Sequence, residues 1–139
     1  MKNAKFLAAM LLLGSILSFS SCSPSFDYVS KTKEIITSGT WSVGYFFVDA
    51  DKTGAVKNYS FHFNNGGNLA IDGGGTSLTG SWQVAKNIEG ADVMRLDIAT
   101  QDATLQQLNG AWKVTDKNMV NIALAAEGHG NGQLQINKY

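Results

Sequence analysis

One short phrase is written three times in this chain and constrains its fold more than any other feature. It reads Gly39-Thr40-Trp41-Ser42-Val43, then Gly80-Ser81-Trp82-Gln83-Val84, then Gly110-Ala111-Trp112-Lys113-Val114. In each copy a glycine precedes a tryptophan by two residues and a valine follows it by two. A spacing of two puts Trp and Val on one face of a β-strand and the intervening polar residue on the other. All three tryptophans of the chain are used this way. The economical reading is three strands that each begin at a glycine bend and drive an indole into one shared core, so Trp41, Trp82 and Trp112 are assigned to structure.

The stretches between these phrases extend the β pattern. Trp41, Val43, Tyr45 and Phe47 are expected to share one face of a long first strand, alternating with Ser42, Gly44, Phe46 and Val48. Asp49 to Gly54 is turn chemistry. Tyr59, Phe61 and Phe63 then alternate with Ser60 and His62, and Asn64-Asn65-Gly66-Gly67 is a hairpin signal leading to Leu69 and Ile71. After Gly73-Gly74-Gly75, a strand from Leu78 carries Gly80, Trp82 and Val84 inward. Met94, Leu96 and Ile98 alternate with Arg95 and Asp97 after a turn over 87–92. The stretch 100–108 breaks the alternation, and Leu105 and Leu108 predict a short helical turn. Trp112 and Val114 begin a strand turned by Asp116-Lys117-Asn118, with Val120, Ile122 and Leu124 as its partner. Gly128 to Gly132 then closes a hairpin onto Leu134 and Ile136. The fold class is all-β: an eight-stranded antiparallel meander, the number at which an up-and-down barrel closes with room for packed side chains or one small ligand. Residues 28–37 carry a weak pattern that predicts a helical turn or two covering a barrel end.

The N-terminus gives an address. Lys2 and Lys5 precede an apolar run from Phe6 to Leu17, too short to span a bilayer as a lasting helix, which reads as a signal-peptide core. Small residues follow and then Cys22, the single cysteine, with no partner for a disulfide. Phe19-Ser20-Ser21-Cys22 resembles the lipobox of bacterial lipoproteins, with Phe in place of the usual Leu. The resemblance implies acylation of Cys22 through its sulfur and cleavage before it, whereas an ordinary secretory signal would be cut near Ser21. Residues 1–21 are then a leader, 22–37 the lipidated cysteine, a tether and the short helix, and 38–139 the barrel domain. The expected partner of the N-terminus is a membrane. The few acidic residues after Cys22, Asp27 alone, favour the periplasmic side of the outer membrane.

The sequence resembles the lipocalin-like small lipoproteins of Gram-negative anaerobes. The phrases that carry the likeness are the Gly-x-Trp opening of the first strand, Tyr59-Ser60-Phe61-His62-Phe63, Asn65-Gly66-Gly67-Asn68, Thr79-Gly80-Ser81-Trp82 and Leu108-Asn109-Gly110-Ala111-Trp112. The similarity covers roughly 38–139 and implies an antiparallel β-barrel, or a strongly curved β-sandwich, on a lipid anchor. The 118 residues from Cys22 to Tyr139 are fewer than a usual lipocalin has, so a smaller cup is expected.

Charge and motif exclude several functions. The chain has 11 basic and 11 acidic residues, and loss of Lys2 and Lys5 with the leader leaves 9 against 11. No clustered basic face marks a nucleic-acid binder. Asp49, Asp51 and Gly54 open like a calcium loop, but Thr53 and Ser60 stand where acidic ligands belong, so a hairpin turn is expected and no metal or cofactor. His62 and His129 are the only histidines, and neither has a ligand or nucleophile at working spacing. No enzyme is expected. An interior cavity is expected to be lined by Tyr45, Phe47, Tyr59, Phe61, Phe63 and Met94 and to take a small hydrophobic ligand. Two other functions remain open: a filled barrel that binds a protein partner or acts as an inhibitor module, and a sugar-binding surface of exposed aromatics with Asn58, Asn64, Asn65 and Asn68. The direction in which the aromatics point separates them.

Overall fold

The structure, a computed structural model, describes residues 28–128 and 130–139. The leader, Cys22 and the tether to Asp27 lie outside the described residues, as does His129. In chain order the elements are α1 (Tyr28–Thr37), β1 (Thr40–Val48), β2 (Ala50–Asp51), α2 (Thr53–Val56), β3 (Ser60–Phe63), β4 (Asn68–Gly73), β5 (Thr76–Lys86), β6 (Asp92–Ile98), α3 (Ala103–Gln106), β7 (Gly110–Lys117), β8 (Asn121–Ala126) and β9 (Gln133–Lys138).

Each strand pairs antiparallel with the next around the sheet. The two-residue β2 folds back on β1, and β1 closes the ring by pairing with β9 from Trp41 opposite Lys138 to Phe47 opposite Gln133. Eight strands therefore form a closed antiparallel barrel. Among the described residues, closure leaves only the two-residue β2 with an open edge.

The core is the barrel interior. Trp41, Val43, Phe46, Phe61, Phe63, Leu69, Ile71, Trp82, Val84, Met94, Leu96, Ile98, Trp112, Ile122, Leu124, Leu134 and Ile136 are buried in one cluster. Edge-to-face ring contacts lock part of it, with centroids 5.6 Å apart for Phe63 and Trp82 and 6.2 Å for Phe46 and Trp112. Helices cap both ends. The amphipathic α1 lays Ile35 and Ile36 on the core and packs against β3, β5 and β6 at one end. At the other, α2 contributes Val56 and the α3 segment contributes Leu105 and Leu108. Asp102 caps α3 by accepting the backbone N–H groups of Thr104 at 2.8 Å and Leu105 at 2.9 Å.

All three indole N–H groups donate to backbone carbonyls of neighbouring elements: Trp41 to Ile36 at 2.7 Å, Trp82 to Asn64 at 3.0 Å and Trp112 to Leu108 at 2.8 Å. Two of these acceptors are carbonyls near the ends of α1 and α3, which a helix leaves without an internal partner. The repeated phrase thus fastens the caps to the wall.

The structure departs from the sequence reading at three points. The expected glycine bend at each phrase is not one device. Gly80 lies inside β5, where a Cβ would stand 2.3 Å from the Asp97 carbonyl oxygen; Gly110 has φ +120° at the start of β7; Gly39 meets only the flexible end of Lys138. The first strand does not alternate regularly either. A β-bulge at Gly44 shifts the register between Val43, opposite Ile136, and Tyr45, opposite Gln135. The extra residue reverses the alternation, so Phe46 enters the core and Tyr45 and Phe47 leave it. Val120, read as part of a strand, sits in the turn before β8 and is exposed.

Trp41→Ala is expected to cost about 3–5 kcal/mol, and Trp41→Phe about 1–2 kcal/mol because it orphans the Ile36 carbonyl. Urea denaturation measures both, and an alanine cost below about 1 kcal/mol would refute the shared-core reading. Gly80→Ala should destabilise by about 2 kcal/mol or more, since the clash is with backbone, and Gly39→Ala by far less. Equal effects at the two positions would contradict the distinction drawn between them.

Candidate functional site

The six residues expected to line an interior cavity do not converge on one. Phe61, Phe63 and Met94 are at most 4 % exposed and packed in the core. Tyr45 and Phe47 lie outside it for the reason given by the Gly44 bulge; Tyr45, 36 % exposed, borders a shallow groove over Ala123 and Ala125 on the outer wall. Tyr59 alone reaches a substantial cleft. The aromatics that a sugar platform would need are mostly interior, and exposed Tyr45 and Tyr139 stand on different parts of the barrel.

The cleft at Tyr59 is an open groove of about 900 Å³ at the α2 and α3 end of the barrel. Its walls are Tyr59, the start of β5 at Thr76 and Leu78, and the β6–β7 connection from Ile98 to Asn109. That connection is firmly shaped. The Asn109 side chain acts as a strand partner to Ile98, accepting its N–H at 2.6 Å and donating to its carbonyl at 3.2 Å. The Gln106 amide donates to the Thr100 carbonyl at 2.9 Å, and Thr100 Oγ1 accepts the Asp102 N–H at 3.0 Å. The result is a rigid, mixed polar and apolar groove open to solvent. Such a shape suits a peptide segment or an amphipathic molecule lying on the surface better than an apolar ligand wrapped on all sides. The sequence signal for it was the break in alternation over 100–108, read only as a helical turn.

A second constellation, at the α1 end, has no counterpart in the sequence reading. Asp92 is buried and in phase with Met94, Leu96 and Ile98, so its carboxylate faces inward. One oxygen accepts from Thr32 Oγ1 of α1 at 2.5 Å and from Lys117 Nζ at 2.6 Å; the other accepts from Lys86 Nζ at 2.7 Å. Lys117 Nζ also donates to Thr32 Oγ1 at 2.5 Å. Lys117 reaches this place through a second bulge. The register slips between Val114 and Asp116, which sets Lys117 opposite buried Ile122 on the inner face. Burial by itself would raise the Asp92 pKa, but hydrogen bonds from Lys117, Lys86 and Thr32 with the Lys117 charge outweigh it and lower the pKa to about 2. With all its partners in place, this cluster ties α1 to β5, β6 and β7 rather than offering a reactive group.

The remaining polar candidates are structural in geometry. Asp51 lies in a turn that starts α2, where hydrogen bonding from the Thr53 side chain and then from the Thr53 N–H, at 2.9 Å, lowers its pKa. His62 Nδ1 lies 3.2 Å from Thr40 Oγ1, and its Nε2 is 3.9 Å from Asp72. Among the described residues no three His, Cys, Asp or Glu side chains are grouped to hold a metal.

No protein-family model matches the chain, and no curated protein does. Solved structures do. A DUF4847 family protein from Bacteroides vulgatus aligns with a TM-score of 0.55 at 16 % identity, over 76 % of this chain and 96 % of that one. A lipocalin-like protein from Bacteroides uniformis aligns with a TM-score of 0.50, also at 16 % identity, over 75 % of this chain and 99 % of that one. At such identity the likeness is one of fold: the chain has a lipocalin-like barrel.

The Asp92 cluster predicts an acid dependence. The folded pKa, about 2, lies below the ordinary 3.8, so the unfolded state binds the extra proton between these values. Stability from this group is full above about pH 4 and is lost as pH falls towards about 2, a loss of about 2 kcal/mol. Asp92→Asn should cost about 2–4 kcal/mol at neutral pH, because two ammonium groups lose their counter-charge. It should also flatten the stability profile between pH 4 and 2 measured by denaturant titration. An unchanged slope would assign the acid sensitivity elsewhere.

Proposed function

We propose that this chain is a lipid-anchored envelope protein, acylated at Cys22 and facing the periplasm from the outer membrane. In this proposal its barrel binds a protein partner through its outer surface, chiefly the cleft beside Tyr59. The observation that carries the binding mode is the filled interior: Trp41, Phe46, Phe61, Phe63, Trp82, Met94 and Trp112 occupy the space in which a carrier would hold its ligand. Function then moves to the surface, where the β6–β7 connection offers a braced groove at the end opposite α1. The anchor rests on the leader and the lone cysteine of the sequence. The proposal is of binding without catalysis.

A second reading has one observation in its favour. The cleft lining combines apolar Tyr59 and Leu78 with polar Gln106 and Asn109, which suits a small amphipathic ligand.

A photoreactive amino acid at exposed Gln101, on the cleft rim, is expected to capture a discrete protein in the intact envelope, whereas one at Gln83, on the outer wall of β5, captures none. A reproducible small-molecule adduct in native mass spectrometry, lost in Gln106→Arg, with no protein captured, would replace the first reading by the second. Cys22→Ser is expected to release the protein from the membrane fraction, and retention there would refute the anchor.

A further inference from the structure

Five large apolar side chains stand exposed among the described residues: Tyr45, Ile88, Met119, Val120 and Tyr139. Four of them gather at one end of the barrel. Ile88 is in the turn between β5 and β6, Met119 and Val120 are in the turn between β7 and β8, and Tyr139 follows β9. The strand ends beside these turns meet α1, because Thr32 bonds both Asp92 at the start of β6 and Lys117 at the end of β7. Tyr139 joins the same end through its N–H, which donates to the Thr40 carbonyl at the start of β1.

Both tips are fixed by hydrogen bonds, and the first is also tied to the barrel wall, since the Asn87 amide donates to Glu127 Oε1 at 2.9 Å. Asn87 Oδ1 accepts the N–H groups of Glu89 at 3.0 Å and Ala91 at 2.9 Å, and Asn118 Oδ1 accepts those of Val120 and Asn121, both at 2.9 Å. Each turn is therefore braced by an asparagine, with its apolar side chains projecting outward. Ile88 is 105 % exposed, Met119 54 %, Val120 60 % and Tyr139 74 %. Single exposed apolar residues are ordinary on a protein surface, but a set confined to one end of a barrel is not.

We propose that the α1 end is a membrane-docking face, on which Ile88, Met119, Val120 and Tyr139 enter the lipid interface and stand the barrel upright. This inference rests on acylation of Cys22. Only five residues separate Cys22 from Tyr28, where α1 begins. Even fully extended they hold that helix within about 20 Å of the anchored cysteine. The bilayer is thus within reach of this end and is the occupant the tether supplies. The tips add apolar contact at interface depth, and a tyrosine with one apolar and one polar side suits that layer. The charges here, Lys31, Lys33, Lys86, Lys117 and Lys138 against Glu34, Glu89, Asp92, Asp116 and Glu127, balance. Docking is therefore apolar in character and insensitive to salt. The upright pose leaves the cleft beside Tyr59 facing the aqueous compartment.

The test uses the full acylated chain in phosphatidylethanolamine and phosphatidylglycerol vesicles. Acylation consumes the thiol of the only native cysteine, so Ile88→Cys, Met119→Cys and, at the opposite end, Gln101→Cys each accept one environment-sensitive fluorophore. The expected result is blue-shifted emission at 88 and 119 that spin-labelled phospholipids quench, unchanged in high salt, with neither effect at 101. Vesicle-bound protein whose labels at 88 and 119 behave like the one at 101 would overturn the docking face while sparing the anchor. Blue-shifted emission that spin-labelled lipid does not quench would assign the face to a protein or a second copy of the chain, which also overturns the proposal. Failure to float with vesicles, together with labelling of Cys22 in the unsubstituted chain, would refute the anchor and the docking face with it.

Discussion

The barrel depends on three indole N–H groups being satisfied from outside their own strands. A buried indole needs an acceptor, and in a closed sheet the neighbouring strand carbonyls are already engaged in the ladder. Trp41 and Trp112 find theirs at Ile36 and Leu108, near the ends of the segments that cap opposite ends of the barrel, and Trp82 finds one in the β3–β4 turn. Packing and polar satisfaction thus select the same arrangement. The caps are part of the core, since Ile35, Ile36, Val56, Leu105 and Leu108 are buried in the cluster that the indoles fill.

That arrangement bears directly on function. A chain of this length that spends its aromatics on an interior, with lids pinned at both ends, has little room for an enclosed ligand. Its two ends then differ in kind. One carries α1, an ionic cluster around Asp92 and braced apolar turn tips. The other carries a groove whose wall is stiffened by Asn109 and the cap of α3. A division of labour between an end that docks and an end that binds follows from this asymmetry and from the place where the tether joins.

Two bulges do much of the positioning. At Gly44 the extra residue exchanges Tyr45 for Phe46 on the inner face, and at Thr115 it brings Lys117 rather than Asp116 to the inner face. Without the second, a carboxylate would face Asp92 and the cluster would repel itself. A single inserted residue thereby decides both what fills the core and whether a buried carboxylate has a partner.

Alternation along β4, β5, β6 and β9 was legible because a strand buried on one face imposes a period of two on its own residues. The turns at Asn64-Asn65-Gly66-Gly67 and Gly128 to Gly132, the helical turn near Leu105 and the three buried tryptophans were legible for similarly local reasons. Closure into a ring followed from strand number. The bulges were not legible, because they are set by register against β9 and β8, distant in sequence, and nothing local marks Thr115. The inward phase of Asp92 was visible beside Met94, but its partners come from α1, β5 and β7 and exist only once the barrel has closed. The groove beside Tyr59 was hidden for the same reason: its walls are far apart along the chain, and its shape is a property of their packing. Local periodicity and turn chemistry fixed the elements and their core faces, whereas which surfaces meet depended on long-range register, which no stretch of the chain encodes by itself.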